Sequence, residues 1–163
     1  MRIKIVSLVL CLAAFTSCSK SSIEEIETEN TVEEATPAQI SAIELELHDL
    51  INDHRQNIGL KSLSFSADAY AYAIEHTDYM IGVGEISHDN FSERASKVAA
   101  ATNALSVAEN VAKSYANANA ALQGWLNSSA HKNTIEGDYT NTTISIKADT
   151  NGDLYFTQIF FKK

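Results

Sequence analysis

The stretch TISIKADTNGDLYFTQIFF, residues 143–161, carries the reading of the fold. Thr143 to Ala148 alternates polar and apolar residues, the period of a strand with one face toward a core. Leu154 to Phe161 is rich in β-branched and aromatic residues, as expected of a strand covered on both faces. Between them Asn151-Gly152 is a strong hairpin signal, because a tight turn needs residues that tolerate positive φ. A further short strand is expected over Val107 to Ala112. Upstream the period changes to that of a helix. Ile40, Ile43, Leu47, Leu50, Ile51, His54 and Ile58 share one face, Ser41 and Glu44 are spaced as a capping box, and Gly59 is placed to end the helix. A second helix is expected from Ala67 to Ile81, capped by Ser66 and broken by Gly82-Val83-Gly84. A third covers Ser92 to Ala101, a fourth Ala116 to Leu126 with Trp125 inward, and a short helical turn follows Ser129. Helices first and strands last indicate an α+β domain, a small antiparallel sheet covered by helices.

The first residues speak to the compartment. Met1 to Lys4 is a short basic start, and Ile5 to Phe15 is an apolar run broken only by Ser7. That run is too short to span a bilayer and has the layout of a secretory signal. Phe15-Thr16-Ser17-Cys18 resembles a bacterial lipobox, in which the cysteine is acylated and becomes the mature N-terminus. Phe15 stands where that pattern prefers Leu. The organisation expected is therefore a lipoprotein signal over residues 1–17, an acidic tether over 18–37 and one globular domain over 38–163. The tether holds Glu24, Glu25, Glu27, Glu29, Glu33 and Glu34 and the chain's only proline, a composition that stays solvated. With Cys11 in the signal and Cys18 lipidated, no thiol remains for a disulfide, a zinc-thiolate site or a nucleophile. Membrane attachment would then run through the acyl chains on Cys18.

Charge excludes one class of partner. The net charge is −9, and loss of the signal removes Arg2 and Lys4 and no acid, which brings it to −11. Nucleic-acid binding needs a basic stripe, and this chain has none.

The polar residues with the widest spacing are the candidates for a site. Asn52-x-x-Arg55-x-x-x-Gly59-Leu60-x-x-Leu63 opens the domain. His76 and Met80 follow on the second helix, then Ser87-His88, Glu109-Asn110-Val111-Ala112, Trp125-x-x-Ser128-x-x-His131, Asp138-Tyr139-Thr140 and Thr157-Gln158-Ile159-Phe160. Taken in order, this set resembles the bacterial branch of the CAP superfamily, which also holds cysteine-rich secretory proteins, insect antigen 5 and plant pathogenesis-related proteins. The resemblance spans Ile40 to Phe161. It implies an α-β-α sandwich, a central cleft, an extracytoplasmic location and a lipid, envelope component or protein as ligand; the acidic start after Cys18, which loosely resembles surface-export signals of some lipoproteins, adds the outer membrane or cell surface as the expected place. The family resemblance places His88, Glu109, His131 and Tyr155 in the cleft. Ala108 stands where the family has the glycine of its Gly-Glu-Asn motif, and Asn133 falls one residue before the usual asparagine position, which holds Thr134. Of the two histidines and two glutamates of eukaryotic members, His88 and Glu109 match one each. Ser128 lies near the place of the second glutamate and Tyr155 at that of the second histidine, so the zinc-binding tetrad is not intact.

Three chemistries stay open on these residues. His88, Glu109 and His131 are two imidazoles and a carboxylate, a donor set that can hold zinc or another divalent ion with open positions. Ser128, His131 and Glu109 are the residue types of a hydrolytic triad, although Ser128 more simply caps or ends a helix. The third reading is a hydrogen-bonded cluster that shapes a non-catalytic binding cleft, with a metal-assisted hydrolase as its alternative. His54 reads as a satisfied core histidine, His48 as a residue at the solvent edge of its helix, and His76 as packing under the cleft beside Met80.

Overall fold

The computed structural model describes residues 40–163; the segments read as signal and tether, with Cys18, lie outside the described residues. In chain order the elements are α1 (Ala42–Asn57), β1 (Ser64–Phe65), α2 (Tyr70–Val83), α3 (Phe91–Thr102), β2 (Ser106–Lys113), α4 (Ala118–Asn127), α5 (Ser129–Ile135), β3 (Asn141–Ala148) and β4 (Leu154–Lys162). The sheet runs β1-β3-β4-β2. The three long strands are antiparallel, and the two-residue β1 adds to β3 in parallel. That short strand has no sequence signal, because two residues cannot show a period.

Every residue of β4 from Tyr155 to Phe161 is buried, which explains its unbroken apolar and aromatic run. Its side chains alternate between two layers. Phe156 and Phe160, with Ala112, Ile144 and Ile146, pack under α1, α4 and α5, where Leu47, Ile51, Leu122, Trp125 and Ile135 close the larger core. Ile159 and Phe161 pack with Ala69 and Ala73 around α2 and with Val98 of α3. Met80, Val111 and Tyr155 form a further cluster on that second face. The α-β-α sandwich expected from the family resemblance is thus the architecture found.

Local chemistry sets the element ends. Ser41 and Glu44 form the capping box of α1, and Gly59 takes φ +83 just past the helix. Glu44 goes further than a cap. Its carboxylate also accepts from Tyr70 Oη at 2.9 Å and from the backbone N–H of Ile146 at 2.7 Å, which satisfies β3 where β1 no longer covers it. Burial and this carboxylate both push the Tyr70 phenol well above its ordinary range, so it remains a donor. The start of α2 differs from expectation. Its N-cap is Ala69, without a side-chain bond. Ser66 instead donates its N–H to Thr142 O and extends the β1–β3 pairing, so the strand claims the residue that reads as a cap. Gly82 continues α2, and Gly84, at φ +82, ends it. The hairpin loop spans residues 149–153, with Asp149 Oδ1 accepting from the N–H groups of Asn151 and Asp153 and Gly152 at φ +90.

Arg55, only 2 % exposed, ties the far ends of this frame together. Its guanidinium donates to the carbonyls of Lys61 (2.9 Å), Ile135 (2.5 Å) and Gly137 (3.0 Å). A buried cation is tolerated when its donors are used in this way. Arg55→Met keeps the bulk and strands these carbonyls. It should lower the unfolding free energy by about 3 kcal/mol or more, read from urea melts; a loss below about 1 kcal/mol would show that the carbonyls find other donors.

Candidate functional site

β2 is an edge strand, and Glu109 points from it into the layer of α2 and α3. A carboxylate whose side chain is 1 % exposed needs partners, and it has them. Arg94 of α3 grips it from both sides, Nε to Oε2 at 2.7 Å and Nη2 to Oε1 at 2.7 Å. This two-point geometry is the strong form of an ion pair. Arg94 Nη1 also donates to the Asp89 carbonyl at 3.1 Å, so the same guanidinium pins the loop that carries His88. His88 Nδ1 lies 2.9 Å from Glu109 Oε1. An ionised carboxylate only accepts, so Nδ1 carries the proton and Nε2 remains for solvent or ligand. The His88 side chain is 53 % exposed, a mobile type of residue held still by a buried one.

His76 lies beneath this pair. Its Nε2 donates to Ser87 O at 2.8 Å and sits 3.6 Å from Glu109 Oε1. Burial, the largest influence, lowers its pKa below the ordinary histidine value, and the ring is neutral. It packs under the cleft, as its place beside Met80 suggests. His131 arrives from the other layer. α5 begins at Ser129 with Ser128 at its N-cap, one residue earlier than the sequence indicates, and that serine makes no side-chain cap bond. Asn110 Nδ2 donates to the His131 carbonyl at 3.1 Å and fastens the start of α5 to β2. Burial first, and then the neighbouring His88, lower the His131 pKa. Beside His88 lies an open hollow of about 190 Å³ lined by His88, Phe91, Val107, Ala108 and Glu109.

Of the four expected cleft residues, His88 and Glu109 bond to each other beside β2, and His131 lies near enough to feel the charge of His88. Tyr155 does not join them. It is 0 % exposed, packs with Met80 and Val111, and has the Lys113 ammonium 4.7 Å from its ring centre. The strand register puts it opposite Lys113, four positions from Glu109, or roughly 13 Å along the sheet. Its place in the motif is right, but that part of the strand is core, so it cannot touch a ligand in the hollow. Arg94 is the residue that sequence reading misses. Its signal was the spacing Arg94, Val98, Thr102, an arginine in line with the buried face of α3. Of the remaining histidines, His54 is bonded to Glu136 at 2.9 Å and is only partly buried, rather than core. His48 is not at the solvent edge; it reaches Leu63 O at 3.1 Å and meets Phe65 edge-on.

The donor set for a metal does not fit. Both oxygens of Glu109 are taken by Arg94, whose charge already stands where an ion's would, and His88 spends Nδ1 on the same carboxylate. Among the described residues no group of three His, Cys, Asp or Glu side chains is placed to hold an ion. Added Zn²⁺ or EDTA should accordingly leave the melting temperature unchanged; a rise with Zn²⁺ that EDTA reverses would show that Arg94 yields the carboxylate. Acid should act differently. His76 and His131 have folded pKa values below the unfolded one, so the unfolded chain binds more protons between the two values. Their contribution is complete above about pH 6.5 and is lost as pH falls below it. Melting temperature should drop over that range, and the drop should shrink in His76→Gln; an equal slope in that variant would remove His76 as a source.

Comparison with known proteins agrees with this architecture. The family model for the cysteine-rich secretory protein family, CAP, matches residues 48–160. An outer surface protein of Borrelia burgdorferi superposes with a TM-score of 0.66 at 20% identity, over 73% of this chain and 91% of that one. A cysteine-rich secretory protein of Staphylococcus aureus gives 0.65 at 21% identity, over 78% of this chain and 40% of that one. An extracellular SCP-domain protein of Bacillus anthracis gives 0.65 at 26% identity, over 79% and 44%. The chain thus spans less than half the length of the latter two. No curated protein matches the sequence. With the family model covering most of the domain and the same fold in these neighbours, the chain belongs to the CAP family.

Proposed function

We infer that this is an extracytoplasmic, lipid-tethered binding module that takes its ligand in the hollow beside β2, with His88 as the polar contact. One observation carries the reading: an exposed imidazole is held in one tautomer and one orientation by a buried ion pair. Such a group contacts a ligand with little ordering left to do. The apolar lining of Phe91, Val107 and Ala108 supplies contact area beside it. The envelope location is supported by the signal-like start and Cys18, and by the description of two neighbours as an outer surface protein and an extracellular protein. Among the described residues no helix is long and apolar enough to cross a membrane, and acylation at Cys18 is the attachment proposed. Among the described residues no donor set for a metal-assisted hydrolase is in place.

A Cys18→Ser chain should be absent from carbonate-washed membranes; retention there would remove acylation as the tether. On that background, His88→Ala should keep its melting temperature and lose about five-fold or more in adsorption to purified envelope fragments. Equal adsorption would take His88 out of the proposed site.

A further inference from the structure

The register of the sheet shows which way the backbone of β2 faces. Thr142 O accepts from Ser66 and the Ile146 N–H donates to Glu44, so the even residues of β3 face away from β4. Its odd residues therefore bond to odd residues of β4, and the even residues of β4 bond to even residues of β2. Two contacts agree. The Ser114 N–H donates to Leu154 O, and Trp125 Nε1 reaches Val111 O from outside the sheet at 3.2 Å. The N–H and C=O groups of Val107 and Glu109 consequently point out of the edge. Glu109 as a residue is 9 % exposed while its side chain is 1 % exposed, so what remains open is main chain. This open edge forms one wall of the hollow.

Resting on the binding role argued above, we propose that the ligand is an extended polypeptide segment that adds to the sheet beside Val107–Glu109. Two outward donor–acceptor pairs two residues apart match the repeat of another extended backbone, and strand addition is an established way to read one. An aliphatic chain has no such repeat. The indole of Trp125 already occupies Val111 O, so the pairing is short and side-chain contacts must complete it. Phe91 and His88 line the hollow beside the added strand. The occupant is therefore a short linear segment with an apolar residue facing Phe91.

The probe is a displayed library of random twelve-residue peptides, selected on the full chain in detergent and followed by a synthetic copy of an enriched sequence. In the free protein, the Val107 and Glu109 amides should exchange with deuterium much faster than those of Ala108 and Asn110; with peptide bound they should become protected. Val107→Pro removes an outward N–H, at a place where an edge strand accepts proline, and also changes a side chain that lines the hollow; it should weaken the peptide about five-fold or more beyond the effect of Val107→Ala, which keeps the N–H. Ala108→Pro removes a ladder bond to Phe160 and should destabilise the sheet. Strand addition is overturned if no peptide is enriched over protein-free resin, or if a bound peptide leaves those two amides unprotected. Peptide binding that His88→Ala abolishes without such protection keeps the hollow and rejects the strand. Binding unaffected by His88→Ala and without protection rejects both. Should Val107→Pro fail to fold, exchange in the native chain still decides.

Discussion

A carboxylate aimed inward from the last strand of a sheet has to be matched, and the match between Glu109 and Arg94 organises this side of the molecule. Unpaired, the buried charge would cost several kcal/mol. Paired, it fixes the distance between β2 and α3, and through the Asp89 carbonyl it fixes the loop between α2 and α3. His88 inherits its position from that loop and its tautomer from that carboxylate. An inward charge on an edge strand also discourages uncontrolled pairing with other chains, which allows an edge to stay partly open.

The two buried arginines solve the same problem by different means. Arg94 meets a formal charge, so its site is strong, directional and sensitive to a cation that could compete for Glu109. Arg55 bonds to carbonyl dipoles, feels the charge of Asp138 without bonding to it, and works as a knot between α1, the Lys61 segment and the end of α5. The first shapes the hollow and the second the frame. Neither depends on a disulfide, in keeping with a chain whose two cysteines both fall within its first 18 residues.

Much of the fold was legible because period and capping are local. The capping box at Ser41 and Glu44, the glycines at 59 and 84 and the strand pair around Gly152 all follow from short-range chemistry. What the sequence hid depends on distant partners. Ser66 reads as a cap until β3 is beside it. Tyr155 stands at a motif position whose neighbours lie in a cleft, and only the register shows that it is sealed under α2. Arg94 looks like a surface residue until Glu109 is known to face it. The motif order pointed to His88 and Glu109, which the fold joins by a hydrogen bond, and to His131, whose titration the charge of His88 influences. It could not show that the acid was already occupied, since that bond joins residues fifteen apart through two elements.

Both helical layers of the sandwich cover buried polar atoms of the sheet. Under α1 and α4 the contact is mostly aromatic and aliphatic, but Asn110 and Gln158 lie on that face too, each with a buried side-chain oxygen that has no partner. Under α2 the sheet offers Thr143, Ser145 and Thr157; Thr77 satisfies Thr157 at 2.9 Å, while the hydroxyls of Thr143 and Ser145 are buried without a partner. A hydroxyl left dry and unbonded weakens the adhesion of whatever covers it. Each face of the sheet therefore carries polar atoms that its helices leave unanswered, and the apolar clusters on both sides have to outweigh that cost.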